Sequence, residues 1–410
     1  MGEIMIKNLD AALSTNIKRM KRSAIRELLK LVNNPDIISF AGGLPAPESF
    51  PIEQLKEITM DVLTKDGTQV LQYGATEGDP LLREQLVKMY VESGHKVTVD
   101  NLIITTASQQ ALDLIAKVFV SPGDKVIVGL PSYLGGLSAF NSYGADMVGI
   151  PLDDKGMSAD LLGKKLAELK AANDMPKFIY IIPDFQNPAG ITMPESRRLE
   201  ILELAHKYDV LILEDSPYRE LRFEGEDQRT MYQLDGTEQV MLLGTFSKIF
   251  APGFRIGWVL GNKDILDKIV VAKQATDLCT PPFTQRIAAR YLERGYLKEN
   301  VKHIIELYRA KKDVMMDALE EYMPKEVTWT RAEGGLFTLL TLPTYINTDE
   351  LIKVAIATEN VAFVAGSSFY CDDSGKNTMR LNFSYASKEK NLEGVKRLAR
   401  VITNEINKHK

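Results

Sequence analysis

From about residue 100 to residue 275, short runs of aliphatic and β-branched residues alternate with longer stretches of helical periodicity. The runs Leu102–Thr105, Lys125–Gly129, Phe178–Ile182, Val210–Leu213, Val240–Gly244 and Arg255–Leu260 read as strands. Gln109–Val120, Pro194–Lys207 and Lys263–Ala275 read as helices between them. Parallel neighbours in a sheet need a crossover of a dozen or more residues, and a helix is the usual crossover. The alternation therefore predicts an α/β fold, with βαβ units around a mainly parallel, buried sheet.

Past residue 300 the texture changes. A helical stretch over 298–323 leads to strand-like Thr338–Leu342, Val361–Val364 and Arg380–Phe383, and a helix over Lys388–Asn407 follows. These predict a second, smaller α+β domain. Near the N-terminus, Asn16–Val32 has amphipathic helical spacing, followed by Ile37-Ile-Ser-Phe40 and the turn Ala41-Gly-Gly-Leu-Pro-Ala-Pro47. We expect an N-terminal arm over 1–48 that packs on the small domain and the functional cleft, a large domain over 49–300 and a small one over 301–410.

Composition narrows the function. Lys and Arg number 50 against 55 Asp and Glu, a balance that argues against a dedicated nucleic-acid or membrane surface. Two cysteines, Cys279 and Cys371, are too few for a disulfide framework and fit a reducing compartment. The four histidines are scattered without metal-ligand spacing, so no metal is expected. No apolar leader opens the sequence, and the expected location is the cytoplasm. The longest uncharged run, Val126–Ala145, is broken by Pro131 and several glycines and reads as strand, turn and helix start rather than a membrane span.

Four segments carry chemistry. In Gly244-Thr-Phe-Ser-Lys-Ile-Phe-Ala-Pro-Gly-Phe-Arg-Ile-Gly-Trp258, Lys248 follows a buried-strand pattern among hydroxyl and small residues, with Arg255 beyond a tight turn. A buried or cation-flanked amine loses its proton more readily and becomes a usable nucleophile, which suits a Schiff-base site. A surface-loop lysine is the plainer reading, and the apolar, glycine-rich context argues against it. Val210-Leu-Ile-Leu-Glu-Asp-Ser-Pro-Tyr218 puts Asp215 at the carboxyl end of an apolar strand, where open α/β sheets bind ligands. A carboxylate there either holds a protonated ring nitrogen or caps a turn. In Ile179-Tyr-Ile-Ile-Pro-Asp-Phe-Gln-Asn-Pro-Ala-Gly190, proline holds Asn187 out of the α region, as it also would in an ordinary Asn-Pro turn. In Ile103-Ile-Thr-Thr-Ala-Ser-Gln-Gln-Ala-Leu112, Ser108 and Gln109 open a helix whose backbone N–H groups form a ready anion site.

Together these segments resemble the class I/II aminotransferases, the pyridoxal-phosphate enzymes of fold type I. The resemblance covers nearly the whole chain. It rests on Ser-Lys-x3-Pro-Gly-x-Arg-x-Gly-Trp, Gln-Asn-Pro-x-Gly and the 33-residue interval from Asp215 to Lys248. Phe40-Ala-Gly-Gly-Leu-Pro-Ala-Pro-Glu-Ser-Phe-Pro51 and Leu71-Gln-Tyr-Gly-Ala-Thr-Glu-Gly78 are similar to the branch holding 2-aminoadipate, kynurenine and aromatic aminotransferases. Ala189 stands where that family often has Thr, and Thr245 where many relatives have Ser or another small polar residue.

The resemblance implies a mainly parallel seven-stranded sheet between helices, pyridoxal 5'-phosphate as cofactor, and a homodimer with shared active sites. It implies transamination between an L-amino acid (2-aminoadipate, aromatic, branched or related) and a 2-oxo acid, with 2-oxoglutarate expected. Lys248 would anchor the cofactor and carry a proton, Asp215 would pair with the ring nitrogen, and Asn187 and Tyr218 would bond its 3'-oxygen. Tyr133 would stack on the ring. Ser108, Gln109, Thr245, Ser247 and Arg255 would hold the phosphate, and Tyr73 would reach the phosphate of a neighbouring subunit. Arg380 would clamp the substrate α-carboxylate with help from Asn187, beside the backbone of Gly43. In relatives with this N-terminal segment the helix covers the active site, and the resemblance implies that an arginine such as Arg26 can meet a distal carboxylate there; a solvated helix face is the other reading. A lyase or decarboxylase on the same scaffold is the alternative activity.

Overall fold

The computed structural model describes residues 8–20, 22, 36–236 and 238–410. Its strands are, in chain order, β1 (Ile38–Ser39), β2 (Leu102–Thr105), β3 (Lys125–Leu130), β4 (Asp146–Asp153), β5 (Gly156–Met157), β6 (Phe178–Ile181), β7 (Leu211–Asp215), β8 (Val240–Thr245), β9 (Gly257–Leu260), β10 (Thr328–Trp329), β11 (Phe337–Thr341), β12 (Val361–Ala362), β13 (Val364–Ala365) and β14 (Thr378–Asn382). Eight of them form one sheet in the order β2-β9-β8-β7-β6-β3-β4-β5. Strands β4, β3, β6, β7 and β8 are parallel, and β9 runs antiparallel to both β8 and β2. Strand β2 therefore points the same way as the parallel set, and six carboxyl ends share one edge of the sheet.

The sheet has one strand beyond the expected seven. Two-residue β5 folds back on β4 through the turn at Asp154 and Lys155. Residues on each strand alternate between two cores. Phe178, Tyr180 and Leu213 belong to one, Ile179, Ile181 and Ile212 to the other, so the sheet is covered on both faces. The strand expected from Arg255 begins at Gly257, because Arg255 adopts φ +53 after the turn Pro252–Phe254.

The second sheet, β10-β11-β14-β13, is antiparallel throughout. The single strand expected over Val361–Val364 divides at Phe363. Strand β12 pairs with β1 and β13 with β14. Helix Tyr296–Tyr322 serves both sheets: Asn300 Nδ2 donates to the Ile249 carbonyl at 3.3 Å and Lys311 Nζ to the Ser384 carbonyl at 3.0 Å. Residue 300, the expected boundary, thus lies inside one continuous helix.

The helix expected over 16–32 is shorter in its described part. Thr15–Arg19 is helical and Met20 is extended at ψ 134. Arg19 lies against helix Leu134–Ser142, its carbonyl accepting from Asn141 Nδ2 at 2.9 Å. Residues 23–35, Arg26 among them, lie outside the described residues.

The loop after β6 is tied down by charge. Arg198 of helix Glu195–Tyr208 is fully buried and donates to Asp184 Oδ1 at 2.7 Å and to the Met193 and Arg229 carbonyls. Removing one member of a buried pair leaves the other charge uncompensated. Asp184→Ala should therefore lose about 3–5 kcal/mol of stability, read from urea unfolding midpoints. A loss under about 1 kcal/mol would mean that Glu214, 4.0 Å from Arg198, compensates it alone.

Candidate active site

The shared edge of carboxyl ends is where the polar residues gather. Strand β7 is wholly apolar up to Glu214 and Asp215, and its last residue projects Asp215 from the sheet edge. Tyr180 Oη donates to Asp215 Oδ2 at 2.7 Å, while Oδ1 is buried and has no hydrogen-bond partner. Burial pushes the Asp215 carboxyl up to about 6, against the opposing effect of the Tyr180 hydrogen bond.

Strand β8 delivers Thr245 and, two and three residues on, Ser247 and Lys248. Thr245 Oγ1 donates to the Ile256 carbonyl at 3.1 Å and accepts from the Ser247 backbone N–H at 3.1 Å, which fixes the turn carrying the lysine. Lys248 Nζ donates to the Gly43 carbonyl at 2.7 Å. Burial of the amine, followed by the charges of Arg380 and Arg255, brings it down to about 8.

Strand β2 ends in helix Ala107–Phe119, whose first turn presents Ser108 and Gln109. Gly257 lies directly behind: a Cβ there would sit 2.5 Å from the Ser108 nitrogen, so only glycine lets β9 support this turn so closely. Gln109 spends its side chain within the protein. It donates to the Gly135 carbonyl at 2.9 Å and accepts from Tyr133 Oη at 3.3 Å, which orients the tyrosine ring.

Asn187 joins two further groups. Its Oδ1 accepts from Arg380 Nη1 at 2.9 Å and its Nδ2 donates to Tyr218 Oη at 3.1 Å. Arg380, on β14, also donates to the Ala41 carbonyl at 2.7 Å and stacks over Phe337 at 4.1 Å and Phe369 at 5.1 Å. Its Nε is buried without a partner. Burial lowers its pKa to about 10 and raises that of the Tyr218 phenol.

Among the described residues, all those expected from the sequence except Tyr73 line one cleft of about 290 Å³. Tyr73 lies outside it and is 79 % exposed. Sequence reasoning missed Tyr180, Phe337 and Phe369. A tyrosine inside an otherwise apolar strand was the available signal for Tyr180, since a buried hydroxyl needs a partner. Among the described residues, no group of three His, Cys, Asp or Glu side chains is placed to hold a metal ion, and no helix is long and apolar enough to cross a membrane.

The cleft combines an amine of lowered basicity, an open buried carboxylate oxygen, hydroxyls and a helix start suited to an anion, and a guanidinium with a donor to spare. A phosphorylated pyridine carrying an aldehyde fits this set: Asp215 Oδ1 is an acceptor awaiting a ring N–H, and Lys248 is an amine for the carbonyl. Residues 35–398 match the family described as aminotransferase class I and II, and the chain belongs to that family. It is a pyridoxal-phosphate-dependent aminotransferase of fold type I.

The chain is 50 % identical over 391 residues to aromatic-amino-acid aminotransferase 1 of Thermococcus litoralis, covering 95 % of this chain and 93 % of that protein. It is 38 % identical over 387 residues to the 2-aminoadipate transaminase of Thermus thermophilus, covering 94 % of each. The crystal structure of Pyrococcus horikoshii kynurenine aminotransferase in complex with PMP is similar at a TM-score of 0.94 and 47 % identity, over 98 % of this chain and 99 % of that one.

A folded pKa below the ordinary lysine value means that the uncharged amine gains as pH rises past about 8. At pH 8 about half of Lys248 is then uncharged in the cofactor-free enzyme, against about 0.3 % of an ordinary lysine. Amine acylation followed by peptide mapping should label Lys248 with a midpoint near that pH. A midpoint above about 10 would describe an amine in free contact with water.

Proposed function

We propose that Lys248 anchors the cofactor and moves the substrate proton, while Arg380 holds the substrate α-carboxylate. The observation supporting this is the meeting, in one cleft, of an amine of lowered basicity, a buried carboxylate oxygen without a partner and a buried guanidinium with an unused Nε. When bound, pyridoxal phosphate supplies an electron-accepting ring that stabilises negative charge at the substrate Cα.

The protein side of the reaction follows from the residues. Asp215 holds the proton on the ring nitrogen through a charge-assisted hydrogen bond. Asn187 and Tyr218 donate to the ring 3'-oxygen, and Tyr133 covers one face. Ser108, Thr245, Ser247 and Arg255 hold the phosphate, and Gln109, whose side chain is engaged by Gly135 and Tyr133, contributes its backbone N–H at the helix start. Lys248 Nζ, uncharged, takes the Cα proton as general base and returns it as general acid. Asn187 and the backbone at Gly43 line the carboxylate subsite beside Arg380.

The relatives named for aromatic, 2-aminoadipate and kynurenine substrates support an L-amino donor with an aromatic or extended side chain. Leu44 and Phe337, both lining the cleft, suit such a side chain. A 2-oxo acid, 2-oxoglutarate in our reading, takes the nitrogen. Arg26 would meet the distal carboxylate of 2-aminoadipate. The enzyme is proposed to act in the cytoplasm as a homodimer, with no nucleic-acid or membrane partner, and with Tyr73 reaching the phosphate of the other subunit.

Lys248→Ala should lose both the visible absorbance of lysine-bound cofactor and all turnover, because one amine serves as anchor and proton carrier. Retained absorbance would move the attachment to another lysine. Mixing this variant with Tyr73→Ala subunits should restore activity, since half of the mixed sites regain both residues. No recovery would confine Tyr73 to its own subunit.

Arg380→Lys should weaken amino-acid and oxo-acid substrates alike, by about 1.5–3 kcal/mol in kcat/KM. Lysine keeps the charge and loses the planar fork that matches a carboxylate. Loss confined to one substrate class would make Arg380 a reader of side chains instead.

A further inference from the structure

We propose that Tyr180 is a positioning residue for Asp215: its hydroxyl occupies one carboxylate oxygen, so that the other alone faces the cofactor ring and the shared proton stays on the ring nitrogen. The inference rests on the assignment of Asp215 to that nitrogen.

Register puts the two residues on one face. Tyr180 of β6 pairs with Leu213 of β7, and Asp215 is the next residue of β7 on the same side of the sheet. The tyrosine ring is fully buried and stands edge-on to Phe140 at 5.2 Å. Helix Leu134–Ser142 makes room for it with glycine. A Cβ on Gly136 would lie 2.9 Å from Tyr180 Cε1 and 3.1 Å from its Oη. The ring therefore has one seat, and from that seat its hydroxyl reaches Oδ2 at 2.7 Å.

Burial holds the phenol protonated, so Tyr180 donates and the carboxylate accepts. A carboxylate already accepting one hydrogen bond is a weaker base at its second oxygen. That weakness matters where a ring N–H and Asp215 Oδ1 compete for one proton. With the phenol present, the pair is a cationic ring and an anionic carboxylate. Without it, the proton passes from the ring nitrogen to Oδ1, leaving a neutral ring and a neutral acid with no change in net charge. A tyrosine that merely fills space between β6 and the helix would leave this proton where it is.

The test uses the holoenzyme loaded with pyridoxal phosphate carrying 15N in its ring, whose resonance reports whether that nitrogen is protonated. Wild type and Asp215→Asn set the two ends of the scale. Tyr180→Phe keeps the ring in its seat and removes only the hydroxyl. Its resonance should move from the wild-type position toward that of Asp215→Asn, with kcat down about tenfold and KM for the amino donor nearly unchanged. A Tyr180→Phe resonance identical to wild type overturns the proposal even if turnover falls. Gly136→Ala, which crowds the hydroxyl while favouring the helix, should shift the resonance in the same direction by less. Should Tyr180→Phe fail to fold, an unmoved resonance in Gly136→Ala overturns the proposal in its place. Coincident resonances for wild type and Asp215→Asn would overturn the assignment of Asp215 itself, an outcome distinct from either.

Discussion

Arg380 is a cation taken out of water, and several distant parts of the chain are arranged around the need to compensate it. A buried guanidinium is costly unless its donors are met. Here Ala41 from the N-terminal turn and Asn187 from the loop after β6 accept from it, and Phe337 and Phe369 enclose its faces. These contacts bring the arm, the large sheet and the small sheet to one point. The unspent Nε is then a donor already freed from solvent, whose desolvation was completed on folding rather than on substrate binding.

The large sheet solves a complementary problem. Its central strands are apolar because both faces are covered, so charged residues are admitted only at or next to their ends. Five parallel strands and β2 point one way, so these ends coincide along one edge. Asp215, Thr245 and the turns leading to Ser108, Tyr133, Asn187 and Lys248 become neighbours although more than a hundred residues separate Ser108 from Lys248.

That division explains what could be read from the residues. Strands β6, β8 and β9 are buried along their whole length and announce themselves as apolar runs. Strand β4 carries no such signal, because it is half exposed, contains Pro151 and alternates poorly. Arg255 looked like a strand start because no local signal marks a left-handed φ at an arginine. The break after Arg19 at Met20 has no counterpart in the amphipathic spacing, which runs on without interruption through residue 32. The cleft was legible where its residues sit in compact motifs, as Lys248, Arg255, Asn187 and Asp215 do. The groups that orient them were not. Tyr180 is 35 residues from Asp215, and Phe337 is 43 from Arg380; only pairing of β6 with β7 and of β11 with β14 brings them together.

Helix Tyr296–Tyr322 runs from the large sheet's side of the molecule to the small sheet's, bonded to Ile249 at one end and to Ser384 further along. At 27 residues it is a strut about 40 Å long. A rotation of one sheet against the other that keeps the Asn300 and Lys311 hydrogen bonds and leaves the helix intact tilts the strut as a whole. A tilt of about three degrees at one end carries the other about 2 Å, more than the tolerance of a hydrogen bond. The strut thus acts as a lever arm, and the aim of the small sheet's arginine is set by angular stiffness at the far end of a rod.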